Sequence, residues 1–384
     1  MVILHLILAV LAVVLLASRP RSAAAALGLA ALAGCDVLLG ASAGPAVGVV
    51  VPLVAFLASA LTLAGLVERS GLAERAANEL ASRARGSSLA LYALVCLLCG
   101  ALTAAVSLDA AVVLMIPLLL VLSDRFQAPV RPLFFGVVAV ANVASIASPQ
   151  GNPTNLVLID RLDLSPVAFA AHMLAPGLAA AVLCAGAVAV SERQALSARY
   201  RVQPRARTPT SRAERHAALS LASAALAAWV APLAGIAPWW PFTATVALAL
   251  SLADERPQLI FPWRIATQIA AMLIVVGSLK ISPPTAPLGL LGMLGVTGAI
   301  AVAAALLNNL PASVWAGTLL AGSSGYAASI GLAIGSLATP QGSVATLIAT
   351  DLAGPAAPPL PVRRFALIAA AALIAATLLV WAEA

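Results

Sequence analysis

The sequence predicts an all-α polytopic membrane protein: two inverted-topology repeats, each with a re-entrant helical hairpin and a broken transmembrane helix. Three observations predict it. The 384 residues are 62% hydrophobic and only 9% charged. Long apolar runs alternate with short Arg-rich loops, and a Pro-Gln-Gly motif interrupts two of the runs. A soluble domain carries roughly 25% charged residues, so a water-soluble globular enzyme is excluded, and so is a disordered chain. The four Cys, at 35, 96, 99 and 184, all fall in apolar runs. They read as small packing residues and exclude a disulfide scaffold. The Cys96–Cys99 pair could serve as a thiolate site for a soft metalloid, a minor reading beside packing.

The first apolar run is 2–17. Its positive charges, Arg19 and Arg21, follow it rather than precede it, the reverse of a signal peptide. It is therefore expected as a retained span with its N-terminus outside. Runs at 22–41 and 45–66 come next, then a charged, helix-like stretch at 67–87. The apolar runs 88–122, 133–159 and 166–190 complete a first repeat, 1–190. A linker at 191–216 carries seven Arg against two Glu. The second repeat, 217–384, holds runs at 217–234, 241–253, 265–279, 288–321, 327–350 and 362–381.

Two runs are too long for one crossing. A 35-residue helix would span about 52 Å, against a hydrocarbon core of about 30 Å. Each carries polar residues at its middle: Ser107 and Asp109 in 88–122, Asn308, Asn309 and Pro311 in 288–321. Backbone exposed by such a break must face protein or a water-filled cavity. Charge decides the parity. If both runs enter and return, the Arg-rich linker and most basic loops share one side, the cytoplasmic one. Only Arg161 and Lys280 fall outside, and the C-terminus is outside as well. Two short crossings would give the same parity; the polar tips favour hairpins. The basic residues thus mark topology rather than a nucleic-acid surface. The linker reads as a cytoplasmic tether that could also touch anionic headgroups.

Residues 147–160 read ASPQGNPTNLVLID and residues 338–351 read ATPQGSVATLIATD. Each copy follows a hairpin candidate and breaks an apolar run near its middle, at about 133–159 and 327–350. By the charge argument they run in opposite directions. Paired Gly/Pro breaks in inverted halves are the sequence sign of a transporter's midplane site. The N–H groups that open the second half of a broken helix carry positive partial charge and can hold an oxygen-rich solute. Asn152, Thr154 and Asn155 add polar groups in the first copy, Ser343 and Thr346 in the second. Asp109 is the most pointed single residue. Carboxylates inside the membrane are costly and usually functional, and one at a hairpin tip is suited to bind a proton; it could also cap the second arm. Asp36 lies nearer a span end, and the three His, at 5, 172 and 216, do not cluster in the sequence. Neither a Ser–His–Asp set nor an HExxH motif nor a second carboxylate near Asp109 supports an intramembrane enzyme. A passive channel would leave flux without accumulation, and a purely structural role would leave the polar tips unexplained.

At these residues the sequence resembles the ion transporter superfamily, which holds arsenite efflux permeases, divalent-anion/sodium symporters and citrate–metal carriers. The resemblance is carried by SLDAAVVLMIPLL (107–119), SIASPQGNPTNLVLI (145–159), LLNNLPASVWAGTLL (306–320) and IGSLATPQGSVATLIA (334–349). The tip of 306–320 looks most like the arsenite permease branch. Leu108 stands where the first tip usually carries Asn, and 334–338 lack the acidic and basic residues that arsenite permeases tend to have. The resemblance implies a multi-pass secondary transporter of the inner (plasma) membrane, usually a homodimer, working by alternating access. It implies substrate and ion contacts at Ser107, Asp109, Gly151, Asn152, Thr154, Asn155, Asn308, Asn309, Gly342, Ser343 and Thr346. No cofactor or metal is expected beyond a coupling H⁺ or Na⁺. The expected partners are the lipid bilayer and a small inorganic or organic anion or metalloid. Arsenite or antimonite exported against protons is the first expectation. Na⁺- or H⁺-coupled transport of a small oxyanion or carboxylate is the alternative.

Overall fold

The computed structural model describes residues 2–18, 22–201, 210–237, 239–253, 261, 263–279, 289–322 and 324–383. Arg19, Arg21, Lys280, linker residues 202–209 and most of the 254–264 loop lie outside the described residues. The described chain is helical almost throughout. The first half contains α1 (Val2–Ser18), α2 (Ala23–Leu38), α3 (Gly44–Arg69), α4 (Leu72–Ala84), α5 (Ser88–Ala105), α6 (Leu108–Phe126), α7 (Val130–Ala144), α8 (Pro153–Arg161) and α9 (Pro166–Ser191). A short α10 (Arg193–Ser197) opens the linker. The second half contains α11 (Arg212–Val230), α12 (Trp239–Ser251), α13 (Trp263–Gly277), α14 (Leu290–Leu307), α15 (Asn309–Leu319), α16 (Ser324–Gly335), α17 (Val344–Ala353) and α18 (Val362–Glu383).

Local chemistry sets these boundaries. Ser22, Ser87, Ser107, Ser165 and Ser211 each accept a backbone N–H at the start of α2, α5, α6, α9 and α11, as short hydroxyl side chains do at helix N-termini. Among the described residues six helices are long and apolar enough to cross a membrane, and five shorter apolar helices accompany them. Leu97, Val182, Leu291 and Leu367 are largely exposed. In a chain this apolar such faces meet lipid, so the molecule is a multi-pass membrane protein. Its centre is formed by the broken helices: every residue from Leu133 to Ile159 is buried, as is the stretch Ala327–Leu337.

Charged residues gather at one end. Arg125 pairs with Glu74 at 3.0 Å, Arg75 with Glu214 at 3.0 Å, and Glu192 with Arg131 at 3.3 Å and Arg364 at 3.7 Å. The Tyr200 N–H donates to the Gly86 carbonyl, just before α5, at 3.2 Å, and the Arg201 N–H donates to the Phe126 carbonyl, at the end of α6, at 3.0 Å. These contacts put the start of α5 and the end of α6 together. The run 88–122 therefore turns back on itself, and α5 and α6 pack together as the arms of a hairpin. The opposite end is marked where Gly317 of α15 abuts the Arg161 side chain and Gly325 of α16 abuts Leu162 and Leu164. So α7 starts at the charged end, whereas α16 starts at the other.

Contacts between helices come in matched pairs. α5 packs on α7 and α14 on α16; α7 packs on α9 and α16 on α18. Across the halves, α6 packs on α17 and α15 on α8; α3 packs on α12 and α13 on α2; α1 packs on α14 and α11 on α5. α4 has no counterpart among the described residues.

Candidate functional site

Each hairpin tip is fastened to the break in its own half. At the first tip Ser107 is extended and its Oγ accepts the Ala110 N–H at 3.2 Å. Ser107, not Asp109, therefore caps α6. Asp109 is 2% exposed, and its Oδ1 is buried with no hydrogen-bond partner among the described residues. In the adjacent break, α7 unwinds through two 3-10 turns, Ser145–Ala147 and Pro149–Gly151, before α8. Ser148 Oγ and Gln150 Nε2 both donate to the Ala104 carbonyl, at 3.0 and 3.2 Å, three residues before Ser107.

Side chains brace the first break from within. Asn152 Nδ2 donates to Ser145 Oγ at 3.1 Å, while Asn152 Oδ1 accepts the Thr154 N–H at 3.0 Å and so caps α8. Asn155 Nδ2 donates to the carbonyls of Ser145 (2.8 Å) and Ser148 (3.0 Å). Gly151 sits where a Cβ would lie 2.5 Å from the Ser145 carbonyl oxygen, so only glycine fits this approach.

The second half repeats the plan with different side chains. Thr339 Oγ1 donates to the Ala305 carbonyl, again three residues before the tip residue, Asn308. Gly342 stands against the Ser336 carbonyl as Gly151 does against Ser145. Asn308 holds a left-handed backbone, φ 83°, a costly conformation for a residue with a Cβ. Its Nδ2 donates to the Gln341 carbonyl at 2.9 Å and its Oδ1 accepts the Leu310 N–H at 3.2 Å. The Asn309 N–H donates to the Gly342 carbonyl at 2.8 Å. Ser343 precedes α17 without capping it, and its Oγ is buried without a partner. By these anchors Asn152 corresponds to Ser343, Asn155 to Thr346, and Asp109 to Leu310.

Asn142 of α7 links the halves. Its Nδ2 reaches Thr346 Oγ1 at 3.3 Å, and its Oδ1 accepts from Ser336 Oγ at 3.2 Å. Asn142, Ser145, Ser148 and Ser336 are additional members of this network, beyond the residues the motifs single out. The available sign was a lone amide inside an apolar helix, which lipid disfavours. The expected site residues thus fall into two tip-and-break units joined through Asn142. No hydrogen bond joins Asp109 to the rest among the described residues.

Five buried atoms of the expected residues have no partner among the described residues: Asp109 Oδ1, Thr154 Oγ1, Asn155 Oδ1, Asn309 Oδ1 and Ser343 Oγ. The four segments that carry the tips and breaks contain no Arg or Lys. A cavity of about 20 Å³ lies between Gln268 and Ile269 of α13 and Asn308, Pro311 and Gln341, room for about one water. Other residues weighed from the sequence sit elsewhere. His5 Nδ1 contacts Asp36 Oδ1 at 2.5 Å between α1 and α2. His172 stacks on Tyr326 with ring centroids 5.1 Å apart. Cys96 and Cys99 are buried free thiols. Among the described residues no group of three His, Cys, Asp or Glu could hold a metal ion.

The citrate transporter family model (CitMHS) matches residues 6–330. The chain belongs to the citrate transporter family. That match runs from α1 through both hairpins into α16, and the family lies within the ion transporter superfamily. The silicon efflux transporter LSI3 of Oryza sativa subsp. japonica is 27% identical over 128 residues, 33% of this chain and 26% of the relative. This member of the citrate transporter family thus spans about a quarter of the length of the curated relative it matches.

Proposed function

We propose that the chain is a proton-coupled secondary exporter of small, neutral, hydroxylated acids, with arsenous and antimonous acid as first substrates. The observation that carries this reading is the set of five unpartnered buried oxygens at the tips and breaks, with no cation among them. Unpaired buried oxygens cost free energy until something bonds to them. As(OH)₃ is mainly neutral near pH 7 and offers hydroxyls to such acceptors. Silicic acid, neutral and hydroxylated too, links this chemistry to the silicon efflux relative. Asp109 binds the proton that enters as solute leaves. Ser107, Gly151, Asn152, Thr154, Asn155, Asn308, Asn309, Gly342, Ser343 and Thr346 form the rest of the path. We further propose that the halves are inverted repeats. The support is that α7 starts among the ion pairs and α16 starts beside Leu162. By the positive-inside rule the charged end is cytoplasmic, in the plasma membrane. The working unit is a homodimer.

Proteoliposomes with an imposed pH gradient test the reading. Arsenite should move against its own gradient only while the proton gradient lasts, and cells made metalloid-sensitive should regain tolerance. Flux that merely equilibrates would indicate a channel, and absence of arsenite movement would remove the substrate assignment. The family description supports a second reading, uptake of citrate with Na⁺ or H⁺. Citrate would lean on the N-termini of α8 and α17 and on a bound cation. Citrate-dependent uptake driven by a Na⁺ gradient, with no arsenite flux, would favour it.

A further inference from the structure

A larger cavity lies at the charged end, apart from the tips and breaks. It has a volume of about 530 Å³ and is lined by Leu66 and Arg69 of α3, Arg212 and His216 of α11, and Leu252 and Ala253 beyond α12. Three helix ends converge there, so the cavity sits at the depth where apolar spans give way to charge. Arg75 nearby is paired with Glu214. That carboxylate also accepts the Ser211 N–H at 2.7 Å, and the Arg75 guanidinium holds its pKa below the usual carboxylate value. Glu214 is therefore already occupied. Arg69 and Arg212 form no ion pair among the described residues. Both are exposed, whereas Leu66 at the cavity wall is buried. His216 Nε2 bonds the Ala249 carbonyl at 2.9 Å, which fixes the imidazole at the cavity and leaves Nδ1 as its second polar atom.

We propose that this cavity binds a phosphate-bearing anion, and that the headgroup of an anionic phospholipid is the source its position favours. Two guanidinium forks match phosphate oxygens in geometry and charge. The volume falls in the range of ordinary ligand cavities. Basic pockets between spans on the cytoplasmic side suit acidic headgroups, and the Leu66 and Leu252 wall gives a glycerol or acyl stem an apolar surface. A bound headgroup bridges α3 of the first half to α11 and α12 of the second, across the seam that joins the halves.

Native mass spectrometry of the full chain in detergent tests this with three probes: phosphatidylglycerol, phosphatidylcholine and inorganic phosphate. The wild type should retain phosphatidylglycerol over phosphatidylcholine by at least about tenfold, the effect of one guanidinium contact at the lower end of the charge-assisted range. R69Q/R212Q should lose that preference. R83Q, which removes only the exposed Arg83–Glu79 pair, should keep it. Should the double variant fail to fold, R69Q and R212Q made singly should each lower the preference. Equal retention of both lipids, with inorganic phosphate raising the melting temperature of the wild type but not of the variant, would identify a soluble phosphate as the occupant. A double variant that binds both anionic probes like the wild type overturns the proposal.

Discussion

The two broken helices share one motif and one anchoring plan, but the first is sealed and the second is partly open. Every residue from Pro132 to Ile159 is buried, whereas Ala338–Gln341 are only partly so. The difference traces to side chains at matched positions. Asn152 and Asn155 fill the first break with amides that bond its own backbone and the Ser145 hydroxyl. Ser343 and Thr346 are too short to do so. The second break instead docks its backbone on the tip, through Asn309 N–H to Gly342 and Asn308 Nδ2 to Gln341. The tip meets α13 across the water-sized cavity. Both breaks are tied to their tips, the first through Ser148 and Gln150 on the Ala104 carbonyl, but only the first adds amide bracing from within.

The largest expected effect concerns the carboxylate, which only the first half carries. Asp109→Asn should reduce proton-driven flux to background while the protein still folds, because Asp109 caps no helix and its Oδ1 has no partner among the described residues. A melting curve beside the liposome assay separates the two effects. Next come the glycines, where the halves should behave alike. Gly151→Ala and Gly342→Ala each drive a Cβ into a carbonyl and should cost about 1–3 kcal/mol, as overpacking does, read as lower melting temperature and folded yield. A tolerated Gly342→Ala would mean that the second break is looser than its contacts indicate.

Asn142→Ala should cost about 1 kcal/mol, since it releases Ser336 and Thr346 together and hydrogen bonds between membrane helices are individually modest. It should also weaken the dependence of flux on the proton gradient. The smallest effects sharpen the contrast most. Asn152→Ala should lose about 1 kcal/mol as a cap is removed. Ser343→Ala should leave the melting temperature unchanged, because its Oγ has no partner among the described residues, yet slow transport. Equal melting losses in both would erase the distinction drawn between the breaks.

Much of this was legible in the sequence. The span limits, the turning of 88–122 and the two PQG breaks follow from apolar length, polar tips and short loops, all local properties of the chain. Asn142 was not legible, because its partner Thr346 lies 204 residues away and a lone amide in VAVANVA announces no partner. The His5–Asp36 contact joins two helices whose face-to-face placement no local pattern encodes. The capping of α6 by Ser107 rather than Asp109 turned on one extended residue at the tip. Such features depend on how helices meet, and composition fixes only that they must.

The antiparallel course of the two broken helices is tested most directly by single cysteines in a background lacking Cys35, Cys96, Cys99 and Cys184. Arg131→Cys, Arg161→Cys, Gly322→Cys and Arg364→Cys would be labelled with an impermeant thiol reagent from either side of sealed vesicles. Labelling of positions 131 and 364 from one side, and of 161 and 322 from the other, is the predicted result. Labelling of 322 together with 131 would give both broken helices the same direction and contradict the account.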